Sequence, residues 1–197
     1  MSGKIDNIQN VLLAFLADYS AKLHVREISR VTGMNRQTTS ETLKRMEVER
    51  ILDSEISGRN KLYFINRNSQ KAKIIAANAE NMKKMDICSK KREISRLVEY
   101  LDGTHAILLF GSYAKGIERE SSDIDIMLIG GGERSFKDFE SETRTEVQTF
   151  EMSEKEFVDK LMKKDHLVIE AVRSHVCLRN TERFVDLIWR ANYGRNN

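Results

Sequence analysis

Apolar residues recur near the start of the chain at three- and four-residue spacing. Ile5, Ile8, Leu12, Phe15, Leu16 and Tyr19 form one stripe of a helix. After a short KLHV, the run REISRVTG predicts a brief helix with Ile28 and Val31 inward and Gly33 ending it. A third helix is predicted over MNRQTTSETLKRMEVERI, with Asn35 as N-cap and Thr39, Leu43 and Met46 on its inner face. ILDSEISGRNKLYFINR reads as two strands joined by a Gly58-Arg59-Asn60 turn. From Ser69 to Leu101 the chain is free of Gly and Pro. Stripes at Ile75, Met82 and Met85, then at Ile94, Leu97, Val98 and Leu101, predict one long helix or two consecutive ones. Beyond Asp102-Gly103 the pattern changes to buried strands, HAILLFG and SSDIDIMLIGG, separated by a short helical turn SYAKG.

Helix, helix, turn, helix and a basic-tipped hairpin, in that order over residues 5–67, resemble a winged helix-turn-helix domain. The resemblance implies double-stranded DNA as a partner. Arg36, Gln37, Ser40 and Lys44 lie on the outer face of the third helix and could read base edges in the major groove. Arg59 and Lys61 on the hairpin could meet phosphates alongside. Glu41, Glu47 and Glu49 near the same helix dilute its basic character, so use of this face for a protein partner stays open.

Composition narrows the class. The chain has 197 residues, 40% hydrophobic and 32% charged, as expected of a soluble folded protein of one or two domains. No apolar run approaches the ~18 residues needed to cross a bilayer, and the start lacks the basic-then-apolar layout of a signal peptide. Cys88 and Cys177 are too few for a disulfide framework, so a reducing cytoplasm is the expected location. The four histidines lack ligand spacing. Net charge is +3, unevenly spread. Residues 1–68 carry 11 basic and 8 acidic side chains, residues 69–102 carry 8 and 5, and residues 103–197 carry 14 and 17. A basic front and an acidic back suggest modules with different partners. Three segments are expected: residues 1–68, a helical connector at 69–102, and a module at 103–197. Of the connector helices, the second is expected to pack on the following sheet. The first is expected to bridge domains or to form a homodimer seam.

The chemistry concentrates between Leu108 and Gly130. Gly111 and Ser112 stand at a strand-to-helix junction, where free backbone N–H groups can hold phosphate oxygens. Side chains alternate along a strand, so Asp123 and Asp125 share a face while Ile124 and Ile126 point into the core. Two carboxylates on one face repel unless a cation lies between them, and Mg2+ suits that position while keeping water and phosphate in its shell. Gly-Ser, nine residues, then Ser-Asp-Ile-Asp-Ile resembles the minimal nucleotidyltransferase family related to DNA polymerase β. The likeness runs on through VQTFEMSEKEFVDKL to HVCLRNTERFVDLIW, roughly residues 90–191. It implies an α+β chain whose C-terminal mixed sheet carries the nucleotidyltransferase fold. By the same resemblance Gly111 and Ser112 bind the triphosphate of an NTP, and Asp123 and Asp125 bind Mg2+. Lys115 and Ser122, from the same turn and loop, complete the candidate nucleotide-binding set.

One position departs from the family pattern. Catalytic members carry a third carboxylate on a later strand, acting as base toward the attacking hydroxyl. Here the matching strand is EVQTFEM and the matching residue is Gln148, which cannot accept a proton at neutral pH. Glu146 lies two residues earlier on the same face, ~6.5 Å along the strand, and is the candidate replacement base. Either the base has moved to Glu146, or the site binds nucleotide without efficient transfer. The first case is an enzyme passing a nucleoside monophosphate to an acceptor. The second is a nucleotide-sensing or dimerising transcription regulator.

Overall fold

The computed structural model describes residues 2–103, 105–131 and 135–194, apart from a few side chains at the N-terminus, Ile5 among them. It is a mixed α+β structure that divides into two compact units, Met1–Ala79 and Glu80–Asn197.

In the first unit the elements are α1 (Ser2–Leu13), β1 (Leu23–His24), α2 (Val25–Thr32), α3 (Arg36–Val48), β2 (Leu52–Ser57) and β3 (Asn60–Ile65). Leu12, Phe15, Leu16, Tyr19, Ile28, Leu43 and Met46 are buried together as the periodicity predicts. The first helix stops at Leu13, however, and tight turns carry the stripe on to Tyr19. Gly33 closes α2 in the left-handed conformation. The Asn35 side chain accepts the Thr38 N–H at 2.9 Å and starts α3. The sheet is antiparallel in the order β1-β3-β2, and Ser57 pairs with Asn60 across a two-residue Gly58-Arg59 loop. The KLHV segment supplies its third, two-residue strand. Val31 does not point inward: it is 57% exposed, because α2 is only two turns long and Ile28 alone covers its buried stripe.

A 21-residue helix, α4 (Gln70–Lys90), runs across the division at Ala79, and α5 (Arg92–Tyr100) follows after a break at Lys91. Segment 69–102 is thus shared between the two units. Met85 is 71% exposed, against the stripe read from sequence. The buried side of α4 is instead Ala72, Ala76, Ala79, Glu80 and Ile87. Small alanines permit close approach, so bulk was a poor guide to the inner face.

The second unit continues with β4 (Ala106–Phe110), α6 (Gly111–Lys115), β5 (Ile124–Ile129), α7 (Lys137–Thr143), β6 (Val147–Met152), α8 (Glu154–Met162), α9 (His166–Ser174), β7 (Val176–Arg179) and α10 (Thr181–Tyr193). Its sheet runs β6-β5-β4-β7 and is mixed: β5 and β6 are parallel, the other pairs antiparallel. One face carries Ile107, Leu109, Ile124, Ile126 and Leu128 against Ile94 and Leu97 of α5, Leu101 just after it, and Phe139 of α7. On the other side α9 and α10 pack against β4 and α8 packs on both helices. Within this unit Glu80 and His175 are fully buried, with Nε2 2.7 Å from Oε1, and the imidazole lies tilted against the Phe184 ring, centroids 4.6 Å apart. The Cys177 thiol beside them is pushed up to about 12 by burial, which marks it as inert packing.

Candidate functional site

The central strands bring the site together. Phe110 of β4 pairs with Asp125 of β5, and Asp125 pairs with Gln148 of β6, so the three stand in one row on one face. Ile124 and Ile126 point the other way and are fully buried. That apolar anchoring fixes the two carboxylates: Asp125 is half-buried and Asp123, at the strand entrance, is exposed.

Gly111 follows Phe110 directly, at φ +68. A side-chain carbon placed there would collide with the Asp125 carboxylate. The backbone of the strand-to-helix junction is therefore pressed against Asp125, and only glycine allows both that approach and that dihedral. No side chain caps the first turn of α6, where Ser112 sits. At its far end Lys115 forms an ion pair with Glu170 of α9 at 2.8 Å. The Ser122 hydroxyl oxygen accepts the Arg119 N–H at 2.9 Å, so its present task is to shape the loop entering β5.

Burial raises the Asp125 carboxyl above its ordinary range, and the charges of Asp123 and Glu170 push it further, with Lys115 opposing. Among the described residues no cluster of three or more His, Cys, Asp or Glu is arranged to hold a metal ion. The donors present are two mutually repelling carboxylates next to a free turn of backbone. That set suits Mg2+, which is held by one or two carboxylates together with water and phosphate oxygens, and does not suit an all-protein cage.

Beyond β6 the site opens into a cleft of about 700 Å3, bounded by Asp123, Glu140, Ser141, Arg144, Glu146 and Gln148, among others. The Glu146 side chain is exposed at its edge, while its carbonyl accepts the Ile124 N–H at 2.9 Å. Glu140 closes the base of the cleft by accepting the Val147 N–H at 2.9 Å. Tyr113 lies buried beneath, its hydroxyl raised by burial first and then by Glu93 and Asp123, and bonded to Thr145. Sequence reading passed over Glu170, Tyr113 and Arg144. They come from separate elements, and no local spacing signals their approach.

The other candidate surface belongs to the first unit. Arg36, Gln37 and Lys44 are exposed on α3 and Ser40 is half-buried; Gln37 donates to Glu41 at 3.1 Å. Arg59 stands exposed in the hairpin loop. Lys61 differs: its ammonium lies 2.7 Å from Glu47 and 5.1 Å from the Tyr63 ring centre, and the Glu47 partner raises its pKa.

Residues 92–183 match the model of the polymerase beta nucleotidyltransferase family. They include every element of the Asp123–Asp125 site, and the mixed sheet fits that fold. The C-terminal part of this chain is thus similar to a nucleotidyltransferase domain. Neither the curated proteins nor the solved structures contain a match to the chain.

Proposed function

We propose that the protein is a Mg2+-dependent nucleotidyltransferase with a DNA-binding winged-helix domain. It would transfer a nucleoside monophosphate from an NTP to an acceptor hydroxyl. The observation that carries this reading is the seating of Gly111 against Asp125, beside Asp123, inside the matched segment. The backbone N–H groups of Gly111 and Ser112 face phosphate oxygens, and Lys115 exchanges Glu170 for the triphosphate. Bound at Asp123 and Asp125, Mg2+ would neutralise charge developing on the transferred phosphoryl group and the pyrophosphate. Glu146 takes the acceptor proton from the cleft side.

Transfer of label from each of four α-labelled NTPs, with wild type and with Asp123→Asn and Asp125→Asn, tests the activity. Calorimetry with ATP and GTP, with and without Mg2+, tests the binding. Both variants should lose Mg2+-dependent binding and keep the fold. Binding of equal strength in the double variant would remove this site from contention.

One observation favours a second reading. Gln148 stands beside Asp125 in the ladder, where a third carboxylate would serve as base. A positioned base contributes ~10²–10⁴-fold, so a site without one holds nucleotide far better than it turns it over. On this reading the protein is a nucleotide-sensing or dimerising regulator. NTP binding with no transfer, in wild type and in Gln148→Asp alike, would select it.

For the first unit, the order of helices and strands and the exposed Arg36, Lys44 and Arg59 support the winged-helix assignment and DNA contact. The cytoplasm is the proposed location. Among the described residues no helix is long and apolar enough to cross a membrane.

A further inference from the structure

The sheet of the second unit has two edges, and they are built differently. β7 is four residues long, and the Arg179 and Asn180 side chains at its end are bound to the carbonyls of Leu101, Gly103 and His105. β6 is six residues long and pairs on one side only. Its parallel register with β5 fixes which groups face out. Ile124 N–H bonds to the Glu146 carbonyl and Gly130 N–H to the Met152 carbonyl, so the N–H groups of Gln148, Phe150 and Met152 turn toward β5. Those of Val147, Thr149 and Glu151 turn away. Glu140 takes the Val147 N–H. The outward N–H groups of Thr149 and Glu151 meet no partner among the described residues.

We propose that this edge receives an extended, basic polypeptide segment as a fifth strand. A naked edge of alternating donors and acceptors binds any extended backbone, and side-chain charge then selects the partner. Here the selection is acidic. Glu146 and Glu151 are exposed on the two faces flanking the edge, Asp123 and Glu140 line the cleft at its head, and Arg144 is the one base among the described residues that line that cleft. A second copy of the chain would bring the same acids against themselves. A segment with alternating lysines would neutralise them, and its leading end would enter the cleft.

The test uses the whole 15N-labelled protein, without nucleotide, and amide hydrogen exchange read by NMR. The probe is an eight-residue peptide of alternating lysine and threonine; the control alternates glutamate and threonine. With the lysine peptide at ten times its Kd, exchange at Thr149 and Glu151 should slow about tenfold, with little change at Gln148 and Phe150. Thr149→Pro removes an outward donor and leaves the bonds to β5, so it should abolish protection at Glu151. The double variant Glu146→Lys with Glu151→Lys should reverse the preference between the two peptides, which keeps the test decisive if the proline variant fails to fold. Equal protection by both peptides overturns the proposal, as does none by either. Protection that rises with protein concentration alone would assign the edge to self-pairing and overturn it too. Because no nucleotide is present, loss of the transferase reading would leave this result unaffected.

Discussion

Asp125 is the residue on which the site turns, and its surroundings make it costly. It is half-buried, beside Asp123, and its carboxyl is raised by burial and by that neighbour. A raised folded-state pKa means that the folded protein binds this proton more tightly than the unfolded chain does. The stability deficit is then full above the folded pKa and disappears below the unfolded one. In EDTA at neutral pH, Asp125→Asn should therefore melt higher than wild type while losing NTP binding. The difference should close as pH falls through the carboxylate range. An unchanged or lower melting temperature at pH 7 would show that repulsion does not dominate there. Gly111→Ala should act in the opposite direction. A left-handed backbone costs a residue with a Cβ roughly 1–2 kcal/mol, and the added carbon must also displace Asp125. Stability and Mg2+-dependent nucleotide binding should fall together, which parallel calorimetry and thermal melts would read. If Glu146 serves as the base, Glu146→Gln should stop transfer. If the site lacks a base, restoring a carboxylate by Gln148→Glu should raise transfer by at least tenfold, provided that the Asp pair is intact and Mg2+ is present.

Elements with strong periodicity were legible in the sequence, and so was the Asp-Ile-Asp strand, because alternation along a strand alone decides which side chains face the core. Asn35 and Gly33 mark helix ends by their own chemistry and do so in the structure. What the pattern could not supply is pairing between distant segments. That Gln148 would stand beside Asp125, or that Glu170 would approach it from α9, depends on how β6 and α9 are laid down. The exposed Val31 and Met85 mark the other limit, where an apolar residue lies on a stripe with nothing to bury it. Long-range pairing also sets a testable electrostatic contribution between helices. Glu154 of α8 bonds to Arg183 Nη2 at 2.6 Å and Arg190 Nη2 at 3.2 Å on α10, which holds its carboxyl below the usual range, Arg183 first. A lowered carboxylate stabilises the fold above its unfolded pKa, and that contribution is lost as pH falls through the folded one. Glu154→Gln should cost at most about 1 kcal/mol at pH 7, since the arginines are partly solvated, or ~2–4 °C in melting temperature. The cost should vanish in acid. A difference between variant and wild type that is the same at pH 7 and pH 3 would point to packing instead.

At the scale of the whole chain, two units of different charge sit on one polypeptide, and the proposed division of labour makes a quantitative demand. If the first unit binds DNA, affinity must fall with salt, because each phosphate neutralised by a lysine or arginine releases condensed counterions. The slope of log K against log salt is about −0.9 for each such phosphate. Arg36, Lys44 and Arg59 are exposed, so each variant to alanine should flatten the slope by about one if it meets phosphate. Arg36→Ala and Lys44→Ala should also shift which duplex is preferred where those side chains read bases, whereas Arg59→Ala should weaken all duplexes alike. Lys61→Ala should change the slope least, since its ammonium is already committed to Glu47 at 2.7 Å. Asp123→Asn with Asp125→Asn should leave the slope where it was, because those carboxylates belong to the other unit. Selection from random duplexes, followed by titrations across salt with each variant, measures all of these on the same protein. Recovery of no enriched sequence, together with a slope near zero for wild type, would give the first unit to a protein partner instead of DNA.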